Sequence, residues 1–115
     1  MTLKNRFTLI GRVGSDPELS TGEKEFARFS IATDASYKKD GEKVERTDWH
    51  RLTCFKPSTL KVIREHVKKG QLLSVEGEIK PRDYEKDGTK HYVVDLHVTE
   101  IGFLSPKPNG SGDQE

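Results

Sequence analysis

The 115-residue chain contains a single cysteine, Cys54. One thiol excludes an intrachain disulfide and any metal site built on a cysteine pair, and it suits a reducing, cytoplasmic setting. No apolar run approaches the roughly 20 residues of a membrane-spanning helix, so no membrane partner is expected. The basic opening MTLKNRFTLIGRVG lacks an unbroken apolar stretch and a cleavage site, and reads as a first strand instead of a targeting peptide. No solenoid-length repeat is present. Signatures of catalysis are equally scarce. The histidines at 50, 66, 91 and 97 show no His-x-x-x-His spacing, and Cys-x-x-Cys is absent. The carboxylates are scattered, with no tight acidic pair of the kind a nuclease metal site needs. Asp16 and Glu18 flank Pro17 and read as turn chemistry. The glycines of GRVG at 11–14 are not followed by Gly-Lys-Ser/Thr, so they form no phosphate loop. Cys54 has no activating neighbour in the sequence and reads as a core thiol. The expectation is a protein that is not an enzyme and has no catalytic residue, metal or cofactor. A strong charge of one sign is missing too: 20 Lys and Arg face 19 Asp and Glu, for a net charge of +1. Only the placement of those charges can speak for or against an anionic partner.

What the chain does contain is a series of short β-like segments. Phe7 to Val13 is rich in β-formers and stops at Gly14. Glu25 to Thr33 alternates, with Ala27, Phe29, Ile31 and Thr33 on one face and Phe26, Arg28, Ser30 and Ala32 on the other. The polar stretch 36–46, SYKKDGEKVER, carries Asp40-Gly41 as a hairpin turn. Residues 47–55 form a third strand, ended by Pro57-Ser58. Thr59 to Lys69 is the one helix candidate, with Leu60, Ile63 and Val67 at helical spacing, Ser58 or Thr59 as N-cap and Gly70 as C-cap. Leu72 to Arg82 and Tyr92 to Val98 supply the last two strands, joined across the turn signal Asp87-Gly88. Leu73, Val75, Gly77 and Ile79 share a face in the former, and Tyr92, Val94, Leu96 and Val98 in the latter. From Ser105 the tail SPKPNGSGDQE has the composition of a disordered segment. Five strands with one helix between the third and fourth predict an all-β protein, an OB-fold of Greek-key barrel type, over residues 1–104, with a disordered tail at 105–115.

Strand 47–55, TDWHRLTCF, shows where function can lie. Its even positions hold Leu52 and Cys54, which suit a barrel interior, with Asp48 and His50 beside them. Its odd positions hold Trp49, Arg51 and Phe55. An arginine between two large aromatics fits poorly inside a core unless it has a buried partner. Facing outward, the same three residues make an exposed aromatic patch of the kind that marks a binding surface. Bases stack on aromatics, while arginine adds charge toward phosphate. The alternative on this strand alone is that Trp49 and Phe55 pack under the helix, with Arg51 reaching solvent along its stem. Two further segments repeat the mixture. In KPRDYEK at 80–86, an unbulged strand puts Lys80, Arg82, Tyr84 and Lys86 on one face and Pro81, Asp83 and Glu85 on the other. Pro81 suits an edge or a bulge, hence an arm projecting from the barrel. In SYKKDGEKVER, Tyr37 stands beside Lys38 and Lys39, with Lys43 and Arg46 beyond the turn. Either hairpin read singly also fits a solvated loop. Three aromatic–basic segments in one small chain point together to a single strand of nucleic acid.

The runs LIGRVGSDPE at 9–18, FARFSIATDASY at 26–37, TDWHRLTCF at 47–55 and VEGEIKPRDY at 75–84 resemble the bacterial single-stranded DNA-binding protein family, over about residues 3–104. The resemblance implies a sequence-independent binder of single-stranded DNA serving replication, recombination and repair, usually a homotetramer of OB domains, with a dimer the alternative. It implies base stacking at Tyr37, Trp49, Phe55 and Tyr84, and a basic path through Arg6, Arg51, Lys56, Lys69, Lys80 and Arg82. It also implies a subunit-interface role for His50 and pairing between subunits along the strand around Asn5 to Leu9. Tyr37 and Tyr84 stand where members often have tryptophan, which reduces stacking area, and Asp83 stands where a basic residue is common. Members usually end in a flexible linker and an acidic tip closing in Ile-Pro-Phe. This chain ends in SGDQE, so replication or repair proteins are only weakly implied as partners, and a phage, plasmid or accessory relative fits the ending as well as a chromosomal, nucleoid-associated one. The alternative expectation is an OB module that binds RNA or a replication protein, as a primosomal relative would.

Overall fold

The computed structural model describes residues 3–20 and 22–105. Eight strands and one helix follow in the order β1 (Phe7–Val13), β2 (Glu18–Ser20), β3 (Phe26–Asp34), β4 (Tyr37–Lys39), β5 (Glu42–Val44), β6 (Thr47–Cys54), α1 (Pro57–His66), β7 (Leu72–Lys86) and β8 (Thr89–Phe103). Five of these close on themselves. β1 pairs antiparallel with β3 and β7, β3 with β6, and β7 with β8. The circuit is completed by a short parallel contact of β6 with β8, Leu52 opposite Leu96 and Thr53 opposite His97. A five-stranded barrel with a helix between its third and fourth strands is the OB-fold.

Alternation builds the core. Val13, Ala27, Phe29, Ile31, Leu52, Cys54, Leu73, Val75 and Val98 point inward, and Leu60, Ile63 and Val67 close one end from α1 and the turn after it. Burial pushes the Cys54 thiol above its ordinary value, as desolvation disfavours a thiolate. It therefore behaves as a small core hydrophobe, as expected. Both Asp-Gly signals are turns, with positive φ at Asp40, Gly41, Asp87 and Gly88, the geometry that two-residue hairpins prefer.

Four local expectations need correction. The helix begins at Pro57, two residues before Thr59, with Lys56 as N-cap and no side-chain cap. Proline is pre-set for the first helical position, where its missing N–H costs nothing. Thr59 spends its hydroxyl elsewhere, donating to the carbonyl of Thr99 at 2.6 Å. The helix also ends early, at His66, because Val67 turns extended. Buried Gln71, and not Gly70, closes that end: its Nε2 donates to the His66 carbonyl at 3.0 Å and its Oε1 accepts from the Lys68 N–H at 2.7 Å. Gly70, at φ 90°, instead turns the chain so that its N–H reaches the Val13 carbonyl. Glu18, read as part of a turn, starts β2 opposite Arg28. Finally, β7 and β8 are longer than expected, and their pairing continues past Pro81, opposite Val94, to the Asp87-Gly88 turn. Among the described residues no third strand pairs with this arm beyond the barrel, so a proline without an N–H is tolerated.

The arm leaves the barrel at a register shift between Glu76 and Gly77. The extra residue, Thr99 on β8, is fastened twice: its carbonyl accepts from Thr59, and its hydroxyl donates to the Glu76 carbonyl at 3.3 Å. At the same point Asn5 grips β7 from the N-terminal segment. Its side-chain amide donates to the Ile79 carbonyl at 2.8 Å and accepts from the Ile79 N–H at 2.9 Å. The fold reaches Ser105, whose Oγ accepts from the Leu72 N–H. The rest of the expected tail, 106–115, lies outside the described residues.

Candidate nucleic-acid interface

The barrel wall made by β3 and β6 carries the outward half of the alternation. Leu52 and Cys54 are fully buried, while Trp49 is 61% exposed and Phe55 38% exposed. The alternative in which both aromatics pack beneath α1 does not hold. The six-membered ring of Trp49 lies against Gly14, where a β-carbon would run into the indole and crowd the Ser30 hydroxyl. Glycine at that position is therefore a seat for the ring. From Trp49 to Phe55 the extended chain covers about 20 Å, at roughly 3.3 Å per residue. Arg51 is exposed between them.

The cross-strand register adds residues to this wall. Arg28 lies opposite Thr53, Ser30 opposite Arg51 and Ala32 opposite Trp49. Phe26 comes within 6.0 Å of Phe55, ring centre to ring centre, and His97 meets Phe55 edge-on at 5.1 Å. Arg28 sits 5.1 Å over Phe26, and Lys24 5.6 Å over Phe55. The result is an open strip of three aromatics, Trp49, Phe26 and Phe55, with cations between and above them. Phe26 and Arg28 were on the outward parity of their strand in sequence; only the register of β3 against β6 brings them to Phe55. His97 arrives through the parallel β6–β8 contact, for which no local sequence signal exists.

The arm extends the same outer surface. No bulge interrupts β7 beyond Gly77, so Lys80, Arg82, Tyr84 and Lys86 do share a face, all exposed. Opposite them on β8 stand Asp95, Val93, His91 and Thr89. His91 stacks on Tyr84 with ring centres 5.2 Å apart and planes 20° apart. Arg82 lies 5.7 Å over the Tyr84 ring and donates from Nε to Asp95 Oδ2 at 2.6 Å. Lys80 pairs with Glu78 at 3.2 Å. Asp83 turns to the reverse face and pairs with Lys90 at 3.6 Å, so it subtracts less from the basic face than its place in the sequence suggests. That reverse face continues the barrel's interior parity past the point of closure, which leaves Tyr92 and Val94 exposed although they align with buried Val98.

The third segment is the β4–β5 hairpin. Tyr37, 49% exposed, stands at its base, and Lys38 lies directly opposite Lys43. Like charges face to face weaken a strand pair unless something anionic lies over them. The hairpin is tied to the barrel through Asp34, whose Oδ1 accepts from the hydroxyl and the N–H of Ser36 at 2.6 and 2.9 Å. Those bonds hold the Asp34 carboxyl below its ordinary pKa.

The remaining predicted residues scatter around these features. Lys56 is exposed next to Phe55 at the start of α1, and Lys69 is exposed, its N–H bound to Asp16 Oδ1 at 2.9 Å near the segment that Trp49 overlies. Arg6 is exposed at the foot of the arm, next to Asn5. His50 is half-buried and its Nε2 lies 2.9 Å from Thr33 Oγ1. The described residues contain no cluster of His, Cys, Asp or Glu able to hold a metal ion.

Comparison with known proteins narrows what such a surface serves. The family model described as "Single-strand binding protein family" matches residues 4–104. A single-stranded DNA-binding protein of Neisseria meningitidis is 35% identical over 113 residues, covering 94% of this chain and 64% of that protein. One from Staphylococcus epidermidis is 33% identical, covering 90% of this chain and 78% of its own length. This chain thus spans slightly under two-thirds of the Neisseria relative. Among solved structures, a Plasmodium falciparum protein in complex with single-stranded DNA has a TM-score of 0.77 at 24% identity, covering 91% of this chain and 98% of that one. A mitochondrial single-stranded DNA binding protein from S. cerevisiae has a TM-score of 0.68 at 25% identity, covering 89% and 97%.

Proposed function

The chain belongs to the single-strand binding protein family, and on that footing we propose that it binds single-stranded DNA without regard to sequence. The observation that carries this reading is the open wall of Trp49, Phe26 and Phe55 with Arg51 and Arg28 among them, continued by the basic face of the arm. A duplex hides its bases in the stack and offers nothing to such a strip. A single strand can lay its bases on the rings while Lys and Arg neutralise its phosphates. In this reading bases stack on Trp49, Phe55, Tyr84 and Tyr37, and Arg6, Arg51, Lys56, Lys69, Lys80 and Arg82 line the path. No bond is made or broken. Hairpins in the DNA melt by mass action, because only the single-stranded form is bound.

Competition tests the reading. A labelled oligo-dT should be displaced by unlabelled oligo-dT and by mixed-sequence single-stranded DNA, but hardly by duplex DNA. Preferential displacement by an RNA strand would transfer the surface to the RNA-binding alternative. Affinity should fall as salt rises, through counterion release.

The arm's ion pairs supply a sharper prediction. Arg82 is neutralised by Asp95, and the pair is partly exposed, so a phosphate must compete with that carboxylate. Asp95→Asn should tighten oligo-dT binding by about twofold to fivefold, the range of an exposed ion pair. It should also steepen the salt dependence by about 0.7 in slope, one more phosphate contact. Weaker binding, or no change in slope, would remove Arg82 from the path.

The same reading includes assembly into a homotetramer, or a dimer. β1 pairs with β7 along one edge, whereas its other edge from Phe7 to Gly11 has no partner among the described residues. Ile10 and Leu3 beside it are 58% and 85% exposed. Asn5 and His50 belong to this proposed interface, although the Asn5 amide is already bonded within the chain. Sedimentation equilibrium should return a mass near four or two chains; a monomer at micromolar concentration would contradict it.

A further inference from the structure

Tyr84 does not offer a free ring. His91, directly across the arm, covers one of its faces with the imidazole nearly parallel. Any base that reaches this position meets a Tyr–His pair. The charges around His91 are sorted as well. Arg82 and Lys86 share its face from β7, while Thr89 and Val93 flank it on β8. The carboxylates of Asp95 and Glu78 on that face are bound by Arg82 and Lys80. Asp83 and Glu85 lie on the reverse face, and Asp87 is in the turn. Among the described residues the arm around the ring is built from β7 and β8.

An imidazole in this position has two uses. Neutral, it is a flat aromatic surface that continues the tyrosine. Protonated, it is a third cation beside Arg82 and Lys86, and an arriving phosphate favours that form. We propose that His91 is a DNA-contacting residue of the arm and that its protonation couples single-strand binding to pH, so that the protein takes up a proton at this ring as it binds. The proposal rests on the reading of the arm as part of the DNA path. The sign follows from linkage: a ligand that prefers the cationic ring binds tighter as pH falls through the range where imidazoles titrate, about pH 8 to 5.5.

The experiment measures oligo-dT affinity at pH 8 and pH 5.5, at constant ionic strength, for the wild-type chain, His91→Gln and His91→Arg. Because His91 is exposed, neither substitution should unfold the chain, and a circular-dichroism melt checks this. The wild type should bind more tightly at the lower pH. The part due to His91, about fivefold for an exposed charge pair, should vanish in His91→Gln, leaving only what the other histidines contribute. His91→Arg should bind tightly at both pH values. In NMR, the His91 Cε1–H titration should move to higher pH on adding oligo-dT. A pH ratio that is the same in wild type and His91→Gln, with binding otherwise intact, overturns the role of His91 and leaves the DNA-binding reading standing. Absence of oligo-dT binding at both pH values overturns that reading, and the proposal with it.

Discussion

Trp49→Ala is expected to weaken oligo-dT binding by about fivefold to 150-fold, the range of one lost base stack of roughly 1–3 kcal/mol, while the melting temperature moves by no more than a few degrees. The two halves of the expectation have separate physical origins. Trp49 is 61% exposed and its six-membered ring lies against Gly14 at the barrel surface, so little packing is lost when it is truncated. If the ring were part of the core, truncation would cost about 3–5 kcal/mol of stability and binding would fail only because the fold did. Anisotropy of a labelled oligo-dT, read beside a thermal melt of the same sample, separates the cases. Unchanged affinity with a large loss of stability would assign Trp49 to the scaffold.

The largest expected effect on the fold lies at Gly77. The register shift carries β8 across β7 so closely that a β-carbon here would overlap the His97 carbonyl, with the Phe7 ring nearby. Backbone cannot swing aside as a flexible side chain can. The strands are also pinned on both sides of the shift, by Thr99 to Glu76 and Thr59, and by Asn5 to Ile79. Gly77→Ala should therefore cost about 2–4 kcal/mol, a large share of the roughly 5–15 kcal/mol that a domain of this size has to lose. The melting temperature should fall by about 10 °C or more. A melt within about 2 °C of wild type would mean that the arm's root is free to shift. In that case the arm is not held rigidly against the barrel wall, and the continuity of the two basic surfaces loses its structural basis.

The parity of residues 47–55 separated the two sides of β6 and favoured the outward reading of its aromatics over packing beneath the helix, and the exposure of Trp49 and Phe55 bears that out. An interior that accepts Leu52 and Cys54 has no place for arginine between two aromatics, and the outward exposure of Trp49, Arg51 and Phe55 follows from that conflict. The arm's basic face was legible for the same reason, since alternation survives wherever a strand is unbulged. What the sequence could not convey are relations between strands. Phe26 and Arg28 sit on the right face of β3, but their meeting with Phe55 depends on register. His97 reaches the same ring only because the barrel closes through a parallel contact. Gln71 caps α1 from beyond the glycine that looked like the cap, and Asn5 bonds Ile79 across 74 positions of chain. The ion pair that occupies Arg82 and the imidazole on Tyr84 both join opposite strands of the arm, and so depend on the register of β7 against β8. Composition was silent throughout, because the total charge of +1 does not record which face of a strand each charge occupies.

The central claim is that the outward aromatics of the barrel wall are the surface on which bases lie. The lone tryptophan makes it directly testable. Oligo-dT titrated into the wild-type chain at low salt should strongly quench Trp49 fluorescence, saturably, and high salt should reverse the quench. Tight binding detected by anisotropy with no change in Trp49 emission would place the DNA elsewhere and contradict the account.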